Sequence, residues 1–186
     1  MNSKTILARA IECIVFIFGA FGGFFLKIAP PDELKLNFPV GISSFLSLFM
    51  LLLIGSLSRK YPDKRYSGRW YIVSIACMLV ALAFSLAYYR NYKNYTFGFP
   101  PDNPQTRYVQ GRQLTQKARD YMKSAHITNI AQVVDDFGGP GSRSEVWEGP
   151  SIDAAGTILL VNYVLLVFFF MTALFSLTET VLLRDS

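Results

Sequence analysis

The sequence predicts an all-α membrane protein: a bundle of four transmembrane helices with a small helical extramembrane domain between the third and the fourth. Three observations carry that expectation. The 186-residue chain is 52% hydrophobic and only 17% charged, where a soluble domain carries about 25% charged residues. The apolar residues gather into four runs, roughly 10–29, 40–58, 70–89 and 156–181, and each meets the roughly 17 to 25 helical residues that a bilayer core requires. The connections between the runs differ in charge, which sets a membrane orientation. The chain therefore divides into residues 1–90, three spans with short loops; 91–155, the small domain; and 156–186, the fourth span and a short tail. A large soluble catalytic domain has no room.

The first run follows Lys4 and Arg9, as a signal peptide would. The stretch through Ile14, Phe16, Phe18, Phe24 and Leu26 is long and ends without an Ala-x-Ala site, so it reads as a retained span. Within it, Gly19 and Gly23 stand four residues apart, a spacing that lets helices approach closely in lipid. It serves equally for packing inside one bundle or for a contact between subunits. In the second run Ser43 and Ser47, and in the fourth Thr172 and Ser176, repeat the interval and offer hydroxyls between helices. Cys13 and Cys77 lie inside runs and read as small packing residues; no disulfide framework is present.

Orientation follows from the loops. The connection "SRKYPDKRYSGR" carries Arg59, Lys60, Lys64, Arg65 and Arg69 against Asp63 alone, whereas "KIAPPDELKLNFP" balances Lys27 and Lys35 with Asp32 and Glu33. Short basic loops stay in the cytoplasm, which puts both termini there and the segment from Arg90 to Ala155 outside. That segment is nearly neutral, with eight Lys/Arg and seven Asp/Glu. The pI of about 9.2 thus reflects orientation and attraction to anionic headgroups. No basic stripe interleaved with stacking aromatics appears, and direct nucleic-acid binding is not expected. The five cations at 59–69 either dock an acidic cytoplasmic protein partner or simply enforce topology against lipid phosphate.

The outer segment opens with Tyr88, Tyr89, Tyr92 and Tyr95, placed to anchor at the membrane interface. Pro100, Pro101 and Pro104 then deny the chain a helix. Two short amphipathic helices follow. Thr115 caps the first, whose face is Ala118, Tyr121, Met122 and Ala125, and His126 ends it; Thr128 caps the second, with Ile130, Val133, Val134 and Phe137 on its apolar side. These stripes pack on each other, with Val146 and Trp147 closing a small core, or on the same region of a neighbouring subunit. The stretch "VVDDFGGPGSRSEVW" contains an Asp-Phe-Gly triplet that holds a metal in kinases. Here Phe137 completes a stripe and Gly138 or Gly139 supplies the positive φ of a helix end. The other kinase elements are absent.

No cofactor or metal site is expected. Asp135, Asp136, Glu145 and Glu148 lack calcium-loop spacing, His126 has no companion ligand, and no nucleophile meets a base, so an enzyme is not expected. Glu12 and Glu179, the acidic residues nearest the bilayer, lie near cytoplasmic ends, within reach of Lys4, Arg9 or Arg184. The second and third runs carry no central charge, and Asn162 alone resembles a midplane polar group. An oligomeric pore lined by Ser and Thr stays open as an alternative.

A four-span chain of this length, with cytoplasmic ends and no catalytic motif, resembles the transmembrane component of the Kiwa anti-phage defence system of bacteria. The likeness is one of architecture across the whole chain. The stretches "YVQGRQLTQKARDYM", "DFGG" and "EVWEGPSI" are in turn similar to a module of bacterial membrane proteins of conflict systems. The Kiwa resemblance implies a homo-oligomer in the inner membrane that senses a phage-related disturbance and holds a cytoplasmic effector subunit. A sensor and scaffold of that kind is the expectation; a pore-forming or membrane-disrupting effector, or an accessory subunit of a larger membrane complex, are the alternatives.

Overall fold

A computed structural model describes residues 37–60, 64–102 and 106–185. In chain order these form α1 (Asn37–Lys60), a 3-10 turn at Lys64–Tyr66, α2 (Ser67–Asn94), β1 (Thr96–Phe99), β2 (Thr106–Val109), α3 (Gln116–Ala125), α4 (Ile130–Asp136), a 3-10 turn at Pro140–Ser142, α5 (Arg143–Val146) and α6 (Gly149–Asp185). They fall into two compact units. One, the helical unit, takes residues 37–86 and 162–185; the other, the hairpin unit, takes 87–161.

Among the described residues two helices are long and apolar enough to cross a bilayer, Ser67–Asn94 and Gly149–Leu183, with 28 and 35 residues. At 1.5 Å per residue each exceeds the roughly 30 Å hydrocarbon core. The apolar stretch Ser44–Ser58 within α1 is shorter. The first predicted run, with Gly19, Gly23, Glu12 and Cys13, lies outside the described residues.

In the helical unit, the directions of the three helices follow from their contacts. Met50 and Ile54, one turn apart on α1, cluster with Met171 and Phe175, one turn apart on α6. One turn further on both helices, the Ser58 hydroxyl donates to the Glu179 carboxylate at 2.6 Å. Only a parallel pair advances in step this way. On α2 the order reverses: Ser67 Oγ donates to the Thr180 carbonyl at 3.4 Å, and Ser74 Oγ to the Ala173 carbonyl at 2.8 Å. Thus α2 runs antiparallel to α6. Ser67, Ser74 and Ala81 are all buried, and their spacing of seven is the repeat that keeps one seam of a helix against its partner. Small side chains there let a hydroxyl reach a backbone carbonyl of the neighbour. The opposite faces are apolar and exposed, with Phe45, Leu48 and Leu52 on α1 and Ile72, Leu79 and Leu82 on α2.

Of the hydroxyls predicted to bridge helices, the Ser43 side chain lies outside what is described and Thr172 bonds within its own helix. Thr172, Thr178 and Thr180 each donate to the carbonyl four residues back on α6 itself, the usual recourse of a threonine inside a helix. Among the described residues Ser176 Oγ, which is buried, has no hydrogen-bond partner. Ser58, Ser67 and Ser74 do bridge helices.

The hairpin unit departs from the predicted all-helical small domain. Residues on either side of the proline-rich stretch pair as an antiparallel hairpin, in the register Thr96 to Val109, Phe97 to Tyr108, Gly98 to Arg107 and Phe99 to Thr106. The reason lies in composition: "TFGF" and "TRYV" are β-branched or aromatic at six of eight positions, which suits a pleated, half-buried surface. Pro100 and Pro101 fall in the connection, where no ladder hydrogen bond is lost.

Candidate functional site

The hairpin unit is built around one apolar cluster. Phe97, Ala118, Ala131, Val133, Val134, Val146 and Trp147 are buried in it, and Tyr121, Met122 and Phe137 pack half-buried against it. Of the residues singled out from the sequence, Val133, Val134 and Trp147 are thus interior, while Tyr121, Met122 and Phe137 sit at the margin. Phe97 of the hairpin lies 5.3 Å from Trp147 between ring centroids, and Tyr121 meets Phe137 edge-on at 5.4 Å. Such aromatic pairs add about 0.5 to 1.5 kcal/mol beyond area burial. The two short helices therefore pack on each other and on the hairpin.

Local chemistry fixes the ends of these helices. Thr115 Oγ1 accepts from Ala118 N at 3.2 Å, and the same hydroxyl donates to the Glu145 carbonyl at 2.6 Å. Around it, Thr115 N donates to Val146 O at 2.9 Å and Glu148 N to Gln113 O at 3.0 Å, so the start of α3 is tied to the end of α5. His126 closes α3 in the left-handed region at φ 54°. The predicted cap of α4 moves by one residue: the cap is Asn129 and not Thr128, with an extended backbone and a side chain that accepts from Ala131 N at 3.0 Å. A carboxamide oxygen outranks threonine in that position. After Phe137, Gly138 and Gly139 take φ 99° and 85°, the conformations that end a helix and that a Cβ disfavours. Asp136 thus ends α4, where its carboxylate accepts from the Tyr121 hydroxyl at 3.0 Å. That bond, then burial and the carboxylate charge, hold the Tyr121 phenol above its ordinary pKa. Among the described residues no group of His, Cys, Asp and Glu is placed to hold a metal ion.

The five predicted partner-binding cations are placed only in part. Lys60, Arg65 and Arg69 are exposed where α1 gives way to α2, and the Arg69 guanidinium lies 5.0 Å from the Tyr66 ring centroid. The side chains of Arg59 and Lys64 lie outside what is described.

Sequence reasoning missed a second set of cations. Arg107 of β2 lies 5.4 Å over the Tyr92 ring and donates from a guanidinium nitrogen to Thr96 Oγ1 at 3.1 Å. Arg112 lies 5.6 Å over the Tyr95 ring. Lys117, over Phe137 at 5.1 Å, also pairs with Glu145 at 2.8 Å. The tyrosines stand out in the sequence, but the arginines belong to a strand and a turn that return to the helix end, and pattern along the chain does not reveal that return.

The described residues define a mainly helical protein with two helices long and apolar enough to cross a bilayer and a hairpin unit closed by its own core. No protein-family model matches the chain, and no curated protein or solved structure is detectably similar to it.

Proposed function

We propose that the chain is a non-enzymatic, oligomeric, multi-pass protein of a bacterial inner membrane, with both termini cytoplasmic. In this reading it couples an outer, phage-related signal to a cytoplasmic effector partner in antiviral defence. The observation that carries the reading is the direction of the three helices. With α1 and α6 parallel and α2 reversed, the basic connection of residues 59–69 shares an end of the helical unit with the C-terminal end of α6. The chain that folds as hairpin and short helices joins the opposite ends of α2 and α6. A short loop dense in cations belongs on the cytoplasmic side, which leaves the folded segment outside. Such a chain presents one surface to each compartment, as a receptor must, and the resemblance to the Kiwa transmembrane component supports the same assignment.

The cytoplasmic surface is the testable half. The full chain is purified from native membranes in mild detergent and the proteins that accompany it are identified, for the wild type and for a variant with Arg59, Lys60, Lys64 and Arg65 reversed to Glu. The variant's orientation is checked by labelling from each side. Loss of an acidic partner with orientation preserved is the expected result. A partner set unchanged by the reversal would refute the docking role.

A further inference from the structure

At the far end of α2 from the basic loop, the apolar run gives way to "YYRNYKNY", residues 88–95, and the structure returns two more cations to this collar. Arg90 and Lys93 are exposed on the last turns of the helix. The first residues after β2 fold back onto the same turns: Gln110 N donates to Tyr95 O at 2.9 Å and Gln110 Nε2 to Asn94 O at 2.8 Å. This brings Arg107 over Tyr92 and Arg112 over Tyr95. Four cations thus surround a helix end that carries Tyr89, Tyr92 and Tyr95, and none of the four forms an ion pair among the described residues. Arg107 and Arg112 are exposed and lie against aromatic faces.

The collar also conflicts with the charge rule that orients the chain. Arg90 and Lys93 directly follow a candidate span, within the stretch where cations bias that end toward the cytoplasm. They oppose the bias set by residues 59–69. An anionic group at that depth would offset the opposition, and tyrosines mark the depth as that of lipid headgroups. Planar guanidinium groups suit a phosphate oxygen pair, and each cation near an anionic surface favours binding. We infer that Arg90, Lys93, Arg107 and Arg112 form a collar that binds the phosphodiester headgroups of anionic phospholipid at the interface where α2 leaves the bilayer. The inference rests on the proposal that α2 spans the membrane.

The test reconstitutes the full chain into vesicles of phosphatidylcholine alone and of equal parts phosphatidylcholine and phosphatidylglycerol, then counts lipid of each kind retained after gentle extraction, by native mass spectrometry. The wild type is expected to retain phosphatidylglycerol in preference to phosphatidylcholine. Arg107→Gln with Arg112→Gln is expected to lower that preference roughly thirty-fold, and the double Lys variant to keep most of it. The Arg65→Gln, Arg69→Gln pair, at the other end of α2, serves as the comparison. A wild type without preference overturns the collar regardless of how any variant folds. So does a preference lost in the Arg65 and Arg69 variant and kept in the Gln pair. Failure of the wild type to float with either vesicle removes the membrane reading instead, and flotation without preference removes the collar alone.

Discussion

Gly111 is held by space rather than by backbone conformation. A Cβ built there would meet Ser151 Oγ, and would lie 2.7 Å from Trp147 Cβ, an atom too close to the backbone to move cheaply. Ser151 is itself fixed, donating to Glu148 O at 2.9 Å. Gly111→Ala is therefore expected to destabilise the hairpin unit by about 1 to 3 kcal/mol. The measurement is denaturation followed by Trp147 fluorescence in a Trp70→Phe chain. Gly141→Ala, where a Cβ meets nothing within 4 Å, should stay within about 0.5 kcal/mol of the parent. A second prediction concerns Tyr121. Its phenol is raised in the fold by the Asp136 hydrogen bond, then by burial and charge, so the protonated form favours the folded state. That contribution is complete below the ordinary tyrosine range, near pH 10, and fades as pH rises through the folded value. Melting temperatures should fall more steeply above about pH 10 for the wild type than for Tyr121→Phe. Parallel curves would show that the bond adds nothing.

At the level of elements, the seam of α2 against α6 separates hydrogen bonding from fit. Ser74 Oγ donates to the Ala173 carbonyl, and bonds of this kind inside membrane helices are worth about 0.6 kcal/mol. Ser74→Ala should therefore change stability little, whereas Ser74→Leu forces a large side chain into a small-residue seam and is expected to cost about 1 to 3 kcal/mol. Reversible unfolding in mild detergent reads both, and equal losses would argue that the hydroxyl rather than the spacing holds the pair. This seam was only partly legible. The interval of four, read on Gly19, Ser47 and Thr172, is local and visible; the sevenfold spacing of Ser67, Ser74 and Ala81 matters only once a partner helix is placed beside it. Helix ends were more legible, because Thr115, His126 and Gly138 act within a turn or two of their own position. The hairpin was not, since its strands are four residues each and their pairing lies across a proline-rich stretch whose turn chemistry hid them. Asn129 displaced Thr128 as cap for a similar reason: adjacent residues compete, and backbone geometry decides.

For the whole molecule, the sequence alone marked α2 and α6 as long and apolar enough to cross a bilayer, because length and hydrophobicity are properties of a continuous stretch. The relative direction of helices is not such a property, and it came from three serines. Their evidence makes orientation the prediction on which the other membrane claims depend. If α2 crosses a bilayer, Arg65 before it and Gln116 beyond it belong to opposite compartments. Two chains with Cys13 and Cys77 replaced by Ser, one carrying Arg65→Cys and the other Gln116→Cys, are exposed to an impermeant thiol reagent in intact cells with permeable outer envelopes, and then in opened membranes. Gln116→Cys should label in both preparations and Arg65→Cys only after opening. The reverse pattern would keep the span but turn it over, making residues 59–69 an outer surface and placing the collar at the cytoplasmic leaflet, where Arg90 and Lys93 would no longer oppose the charge rule. Labelling of both in intact cells would mean that α2 does not separate its ends across a bilayer, and its exposed face of Ile72, Leu79 and Leu82 would then have to be covered by protein rather than lipid.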